Sequence, residues 1–544
     1  MKYEIVKDPD KPFPKNERNT VATYGTATVT ETDKDGNQKT TKYGIVRNVD
    51  IYKLINEGKQ INIEGCFVEK FSIAEYWVEY NIKKESEVKI KNISALNSFF
   101  NDFAHFRSAT FNGDAVFSSA TFNGVAYFDS ATFDDNTTFD STIFSGDAYF
   151  YSATFSGDAY FDSATFSDSA NFSSATFSGS ANFSSVTFNS DATFSFSIFS
   201  GYVFFYFASF SGSANFSSVT FSGDANFSPS TFSGDANFSF AKFSGDTYFD
   251  SATFCGYASF FSAKFSGRAF FDSVTFRGDA IFYSATFSGS AAFYSVKFKG
   301  EMNWDGTKFR KEVHLKNAFF EYPVNFSNLK FLELDLTGVV FDKYALFKNC
   351  EIDKGPRETF RIIKNEFMRT NNRIDALDYH KKEMEEYEAE LKKERNKETI
   401  KRWKIKQWNR NHWYLNCRYK KYWGKDEIIL KLNKITNYYG VSWPQALKVT
   451  LSFSLITFSL LFLCGISSEM TYYEWGWKGW ISFSEVCEYY LKGFLSFLDI
   501  THKFNFLGEG SLNFMGYIID FIARLGIGYG YFQIIQAFRK FKIW

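Results

Sequence analysis

The sequence predicts a β-solenoid of 11-residue double repeats, followed by an α-helical hairpin and a two-span α-helical transmembrane domain. Three observations carry this prediction. Phenylalanine returns at steps of five and then six, from Phe106, Phe111, Phe117, Phe122 and Phe128 through to Phe326 and Phe331. A small residue stands two positions before the ring, as Ala109 does before Phe111 and Ala115 before Phe117. Near the C-terminus, residues 449–466 carry no charge, and a second apolar stretch occupies 512–538.

A period of 5.5 belongs to neither an α-helix nor an ordinary strand, so it marks a winding repeat. The unit is approximately A-T-F-S-G-D-A-N-F-S-S. One large and one small inward position per half-unit suit a tube packed by stacked rings. The Ser, Thr, Asn, Asp and Gly between them turn the chain and face water. Four half-units give a coil of about 22 residues, and about ten coils spaced at ~4.8 Å give a rod on the order of 50 Å. Each coil pairs with the next, which lines up like side chains along each face.

With A-T-F-S-G and A-N-F-S-S on the page, the chain resembles the pentapeptide-repeat family, whose motif is a small residue, a polar residue, a central Leu or Phe and two variable residues. The resemblance implies a right-handed quadrilateral β-helix, here over residues 106–350. The chain departs from the family pattern by a sixth residue in every second unit, at Asp114, Val125, Asp147 and Asp158.

Ahead of the repeats, residues 1–48 read as an N-terminal β element. Its strand-like stretches 20–30 and 38–46 flank D-K-D-G-N at 33–37, a turn sequence. That turn lacks the spacing and later Glu of a calcium loop. The first twenty residues are charged and contain proline, so they do not read as a signal peptide. Residues 49–105 have strand character without the strict period and are expected to be irregular coils capping the solenoid.

Lys plus Arg and Asp plus Glu number 61 each, for a formal net charge of zero, but the distribution is uneven. Residues 101–300 hold 17 Asp and no Glu against 7 Lys and Arg, which makes the rod acidic. Such a rod could mimic DNA, or its Asp could simply be water-facing turn residues. The six cysteines, Cys66, Cys255, Cys350, Cys417, Cys464 and Cys487, have no motif spacing. They argue for a reducing compartment and against a disulfide framework or zinc site. No nucleophile motif, phosphate loop or His/Glu cluster is present, so neither an enzyme nor a cofactor is expected.

Past the repeats, Gly355-Pro356 opens a helical hairpin over 355–400, Pro being tolerated in a first helical turn. Phe360, Ile363 and Phe367 share a face, Thr370-Asn371-Asn372 breaks the helix, and Leu377, His380, Met384, Tyr387 and Leu391 follow at steps of three and four. His380 reads as a core or interface histidine. Residues 401–445 are expected to form a basic, aromatic juxtamembrane helix, since 401–425 hold nine Lys or Arg and no acid. Trp403, Trp408, Trp413, Arg418, Lys420, Lys421 and Trp423 would anchor it at an anionic membrane surface. Basic plus aromatic also suits nucleic acid, but the apolar stretch that follows selects the membrane.

Residues 446–544 then form the two-span domain. The Ser and Thr of the first span would bond helical carbonyls or a neighbouring helix. Asp520 and Arg524 stand at i and i+4 in the second span and can pair, facing a bundle interior or water rather than lipid. Basic residues flank both spans, at 401–425 and at Arg539, Lys540 and Lys542. The positive-inside rule therefore places both ends and the rod in the cytosol of a bacterial-type inner membrane. Between the spans, 481–503 reads as a short re-entrant, pore-helix-like segment ending in Asp499-Ile500-Thr501-His502-Lys503.

On three stretches the C-terminal region resembles pentapeptide-repeat membrane proteins with a two-helix, potassium-channel-like module. These are the run from Glu366 to Met384, L-N-K-I-T-N-Y-Y-G-V-S-W-P-Q-A-L, and the final R-L-G-I-G-Y-G-Y-F-Q-I-I-Q-A-F-R-K-F. The resemblance implies an oligomeric pore, tetrameric by analogy, with pore-region candidates Asp499, Thr501, His502, Lys503, Asp520 and Arg524. Gly526-Ile527-Gly528-Tyr529-Gly530 is similar to a potassium filter, but only fourteen residues follow it, too few for an inner helix at ~1.5 Å per residue. Gly526, Gly528 and Gly530 therefore read as span-packing glycines.

Three functions follow from these readings. The first is an oligomeric, ion-channel-like pore whose cytosolic rod senses or docks a protein partner. The second is a membrane-tethered acidic scaffold that does not conduct. The third and weakest is a DNA-mimicking inhibitor. The expected partners are anionic lipid, further copies of the chain and a cytosolic protein on the rod.

Overall fold

The computed structural model describes residues 2–14, 16–33, 35–83, 87–408, 425–439, 442–465, 491, 494–499 and 514–538, with side chains at 398–408 and some helix ends excepted. The chain forms two compact units, Met1–Gly355 and Pro356–Trp544.

The first unit opens with an antiparallel meander of β1 (Lys2–Asp8), β2 (Thr26–Thr32) and β3 (Gln38–Val46). β1 lies within the expected β element 1–48, ahead of the two strand-like stretches read from sequence. Its Tyr3 and Ile5 alternate with charged residues and pack against Ala27, Val29, Phe67 and Phe99, a period-2 pattern obscured by the charge around it. The end of β3 pairs in parallel with Cys66–Val68, the first strand of one solenoid face, so the meander covers that edge of the sheet.

Two helices, α1 (Asn48–Asn56) and α2 (Ile73–Glu79), lie among the irregular coils expected over 49–105 and were not foreseen. The coils there are already in register, with Phe67 opposite Phe99 and Phe99 opposite Thr121. The first of these steps is ten residues longer than the second because α2 is inserted into the coil. Ser72 caps α2, its hydroxyl accepting from the Glu75 amide at 3.4 Å. α1 buries Ile51, Tyr52 and Ile55.

From there four parallel sheets run the length of the unit, with up to 14 strands on one face. At ~4.8 Å per strand this is a rod of roughly 60 Å. Residues 22 apart are partners, as Thr154 is of Thr176 and Ala214 of Ala236. In the last coil the step shortens by one, with Val324 opposite Ala345.

The rings fill the interior. Phe194 stacks on Phe172 and on Phe216 at 4.9 Å and meets Phe183 and Phe205 edge-on at 5.5 and 5.4 Å. Offset stacks and T-shaped contacts are the two favourable quadrupole arrangements. Each buried ring contributes roughly 1.5–3 kcal/mol by leaving water. Trp304 occupies one ring position and stacks on Phe282 at 5.3 Å.

The corners explain the Ser-rich spacing. One residue per half-coil adopts φ near +57°, and it is usually Ser, as at Ser152, Ser163 and Ser174; a small side chain tolerates this left-handed region better than a bulky one. At the S-G-D turns, a Cβ on Gly234 would lie 2.5 Å from the Gly212 carbonyl oxygen of the preceding coil, so glycine relieves a close approach there, while the equivalent positions 168 and 190 hold Asp and Ser. The Asp that follows does structural work, as where Asp158 Oδ1 accepts the Ser180 amide one coil on at 2.7 Å. The same 22-residue link recurs at Asp191, Asp224 and Asp235.

The second unit holds α3 (Arg357–Arg369), α4 (Arg373–Trp408), α5 (Lys425–Asn437), α6 (Trp443–Gly465) and α7 (Phe514–Phe538). α3 buries Phe360, Ile363 and Phe367, and the Phe367 ring lies 5.5 Å from Tyr379 of α4. The break between α3 and α4 is the left-handed Asn371, φ 60°. α4 runs to Trp408, beyond the expected end of the hairpin at 400, so the continuous basic helix expected over 401–445 is divided. Part of it belongs to α4, part is α5, and α6 already starts at Trp443.

Candidate functional site

The geometry converges on α5, α6 and α7. α6 and α7 pack along their length, and their contact has an apolar centre and polar flanks. The centre is Phe458, Leu461, Ala523 and Ile527, joined by Phe497 from the described piece of the segment between α6 and α7. Phe497 and Phe494 lie 5.4 and 5.7 Å from Phe458.

The helices approach closely where glycine removes a side chain. A Cβ on Gly526 would lie 2.1 Å from the Phe453 ring, and one on Gly530 would lie 2.3 Å from Thr450 Oγ1. Gly526 and Gly530, four residues apart, thus line one face of α7. Gly528, about 200° around the helix from either, is half-buried.

Polar groups also point inward. Asp520 is buried, and Arg524 Nε donates to its Oδ2 at 2.8 Å. Thr450, Ser454 and Thr457 are buried, and their hydroxyls donate to carbonyls of α6 itself at 2.7–2.9 Å. Gln533 is buried and donates to Asn433 of α5 at 3.4 Å, where Tyr529 also donates at 3.1 Å. Outward, the same helices show large apolar side chains: Ile456 is 60% exposed, Phe521 63%, Leu525 60% and Ile535 59%. α6 and α7 are long and apolar enough to cross a membrane.

A second polar cluster joins α5 to α4. Glu388 of α4 is buried and accepts from Lys392 at 2.8 Å, Lys434 at 3.1 Å and the Tyr439 hydroxyl at 3.2 Å. These donors, the hydrogen bond from Lys392 foremost, hold its carboxyl at about 2. Burial and the neighbouring Glu388 carboxylate raise the Tyr439 phenol above its ordinary value. Arg395 pairs with the buried Glu427, and Tyr387 donates to Asp426 at 3.1 Å. Gln445, at the start of α6, donates to the Lys434 and Ile435 carbonyls at 3.0 and 2.8 Å. His380, half-buried, lies 3.5 Å from Glu383, which Lys364 holds at 2.6 Å; burial lowers the His380 pKa.

The expected site residues fall in three groups. Asp520, Arg524, Gly526 and Gly530 meet in the helix contact. Asp499 is exposed, its amide donating to the Ser496 carbonyl at 3.2 Å. Thr501, His502 and Lys503 lie outside the described residues, as do Trp413, Arg418, Lys420, Lys421 and Trp423; Trp403 and Trp408 are described only as backbone of α4. Of the pore-helix-like segment 481–503, residues 491 and 494–499 are described, helical at 491 and 494–497.

Sequence reasoning missed Glu388, Arg395, Glu427, Asn433, Lys434 and Gln445. Three of them, Asn433, Lys434 and Gln445, stand inside the L-N-K-I-T-N-Y-Y-G-V-S-W-P-Q-A-L stretch. The stretch was visible as a unit, and Gln445 bonds within it, but the partners of Lys434 and Asn433 lie on α4 and α7, at separations no local pattern encodes.

Segments 117–165, 150–198, 161–209, 197–239 and 208–253 match the family described as Pentapeptide repeats (9 copies). The match lies wholly within the solenoid. No curated protein matches the chain, and no solved structure does.

Proposed function

We propose that the protein is a membrane-tethered β-helical scaffold, with α6 and α7 crossing the bilayer as a hairpin and the rod held on the cytoplasmic side as a docking element. One observation carries this reading: the helix pair is inside out. Thr450, Ser454, Thr457, Asp520 and Gln533 are buried, while Ile456, Phe521, Leu525 and Ile535 face outward. In water this arrangement would expose a large apolar surface; in lipid it satisfies polar groups internally, as the bilayer core demands. α5 supports the same reading, because Ile428, Ile429, Leu432 and Ile435 are exposed on one side while Glu427 and Lys434 are tied to α4 on the other. The basic flanks at 401–425 and 539–542 give the orientation. No catalytic role is proposed.

Full-length protein should resist alkaline carbonate extraction from membranes. A cysteine at Phe521 should react with an aqueous maleimide only after detergent is added. Extraction by carbonate, or labelling without detergent, would overturn the reading.

A second reading is the oligomeric, tetrameric pore. The observation that favours it is Asp520 with Arg524, an ion pair at mid-span that a plain anchor does not need. The results expected of a pore are unitary currents in planar bilayers that change with Asp520→Ala and a closed ring of subunits in native-lipid mass measurements. Monomers without current leave the tether.

A further inference from the structure

At their left-handed corners, one edge of the rod has a single Phe, Phe207, and the opposite edge has two. Where that edge carries Ser at 174, 218 and 262, it carries Phe at 196 and 240, both with φ +60°. A bulky residue in the left-handed region is a backbone outlier, and these two rings are 65% and 53% exposed. The edge is continuous through backbone bonds: the Phe196 amide donates to the Ser217 carbonyl, Ser218 to Ser239, Phe240 to Phe261 and Ser262 to Tyr283, at 2.8–3.0 Å. Phe240 meets Phe261 edge-on at 5.2 Å, and Phe261 stacks on Tyr283 at 5.6 Å. Phe240, Phe261 and Tyr283 thus form a contiguous aromatic run over two coil steps, about 10 Å, and Phe196 stands two steps further along the same edge, beyond Ser217, Ser218 and Ser239.

Beside it, on the adjoining face, Lys242 and Lys264 are register partners and both exposed. Two ammonium groups about 5 Å apart in a ladder repel each other unless an anion lies between or over them. From residue 173 to 288, the edge and the two outward columns of this face hold no acidic side chain, in a rod that is otherwise strongly acidic. Asp224 and Asp246 stand at the far corner of the face, and Asp246 is held by Arg268. The exposed pair Tyr206 and Phe207 on the opposite edge has no such companion: its adjoining face carries Thr187, Ser209 and Thr231.

We propose that the Phe196–Tyr283 edge docks the rod onto an anionic lipid surface, with the rings entering the headgroup boundary and Lys242 and Lys264 contacting the phosphates. Convexity selects this occupant. Rings on a protruding corner fit a flat, penetrable interface, where aromatic residues gather, whereas base stacking needs rings laid flat in a groove. Like charges in register find their counterions in a dense phosphate plane. The proposal stands independently of whether α6 and α7 span the membrane, because it concerns a surface of the rod alone.

The test places a photoreactive benzoylphenylalanine at Phe240 in the full-length chain, mixed with or reconstituted into vesicles of phosphatidylcholine with or without phosphatidylglycerol. Lipid crosslinks are expected with phosphatidylglycerol, reduced about tenfold without it or in Lys242→Glu/Lys264→Glu. The same probe at Ser273, on the opposite edge beside Asp272, should give few. Crosslinks of equal yield in both vesicle types, no lipid crosslink with folded protein, or crosslinks only to a second copy of the chain would each overturn the proposal. The Phe-edge circular dichroism of each variant checks folding, and Lys242→Arg/Lys264→Arg, which keeps the charge, should retain the crosslink.

Discussion

The rod and the α6–α7 hairpin solve opposite solvent problems with the same kinds of atoms. In the rod, Phe is inside and Ser, Thr and Asp are outside. In the hairpin, Phe521, Leu525 and Ile535 are outside, and Thr450, Ser454, Asp520 and Gln533 are inside. Water drives the first arrangement through burial of apolar area. On the proposed reading, in which lipid surrounds it, the second has no such drive between helices, so it depends on close contact at Gly526 and Gly530 and on internal hydrogen bonds. A given substitution should therefore have different consequences in the two regions.

The largest contrast is a truncated ring. Phe194→Ala leaves a void between Phe172 and Phe216 and should cost about 3–5 kcal/mol, read by urea unfolding of the solubilised protein. Phe521→Ala, on the outward face of α7, should change stability in lipid by less than about 0.5 kcal/mol. Equal costs would erase the inside-out distinction. Next is the close approach of the spans. Gly526→Ala drives a methyl against the Phe453 ring and should cost about 1–3 kcal/mol of hairpin stability, measured by denaturation in mixed micelles.

The joint between α4 and α5 belongs to neither regime, since buried charges hold it. Glu388 sits at about 2, below its ordinary 4.5. A depressed carboxylate contributes stability that is fully present above about pH 4.5 and is lost as pH falls toward 2. Glu388→Gln should weaken the joint by about 1–3 kcal/mol at pH 7, discounted for the partly exposed Lys392 and Lys434. It should also remove most of the acid sensitivity of amide exchange in α5. The smallest effect is at the rod corners. Asp158→Ala removes one acceptor for the Ser180 amide and should cost about 0.5–1.5 kcal/mol, with the neighbouring Asp191 and Asp224 bonds retained.

The same contrast decides what was legible in the sequence. The rod could be read because a winding repeat writes its register into a local period, and the 22-residue step from Thr154 to Thr176 is the Phe spacing counted four times. Where an insertion broke that period, at α2, the reading lost the register although the coil continued. The two apolar helices could be read from composition. The joint could not, because Glu388, Lys434 and Tyr439 look like ordinary surface residues of separate helices until the chain brings them together. Phe196 and Phe240 stand off the five-and-six step, two residues past Phe194 and Phe238, and the coil geometry shows that they share one edge and point outward.

The 22-residue step also makes the rod a ruler that can be recut. Adding or deleting one full step moves everything beyond it by a single strand spacing, ~4.8 Å, and returns every later residue to the face it held before. Adding half a step, eleven residues, keeps every ring inside but moves all later outward side chains to the opposite face. A gene for this chain could thus grow or shrink by tandem duplication without a folding penalty, while the phase of each duplication decides whether the Phe196–Tyr283 edge and the rod's far end still look the same way. Reach and heading are set separately, one by the number of coils and the other by their parity.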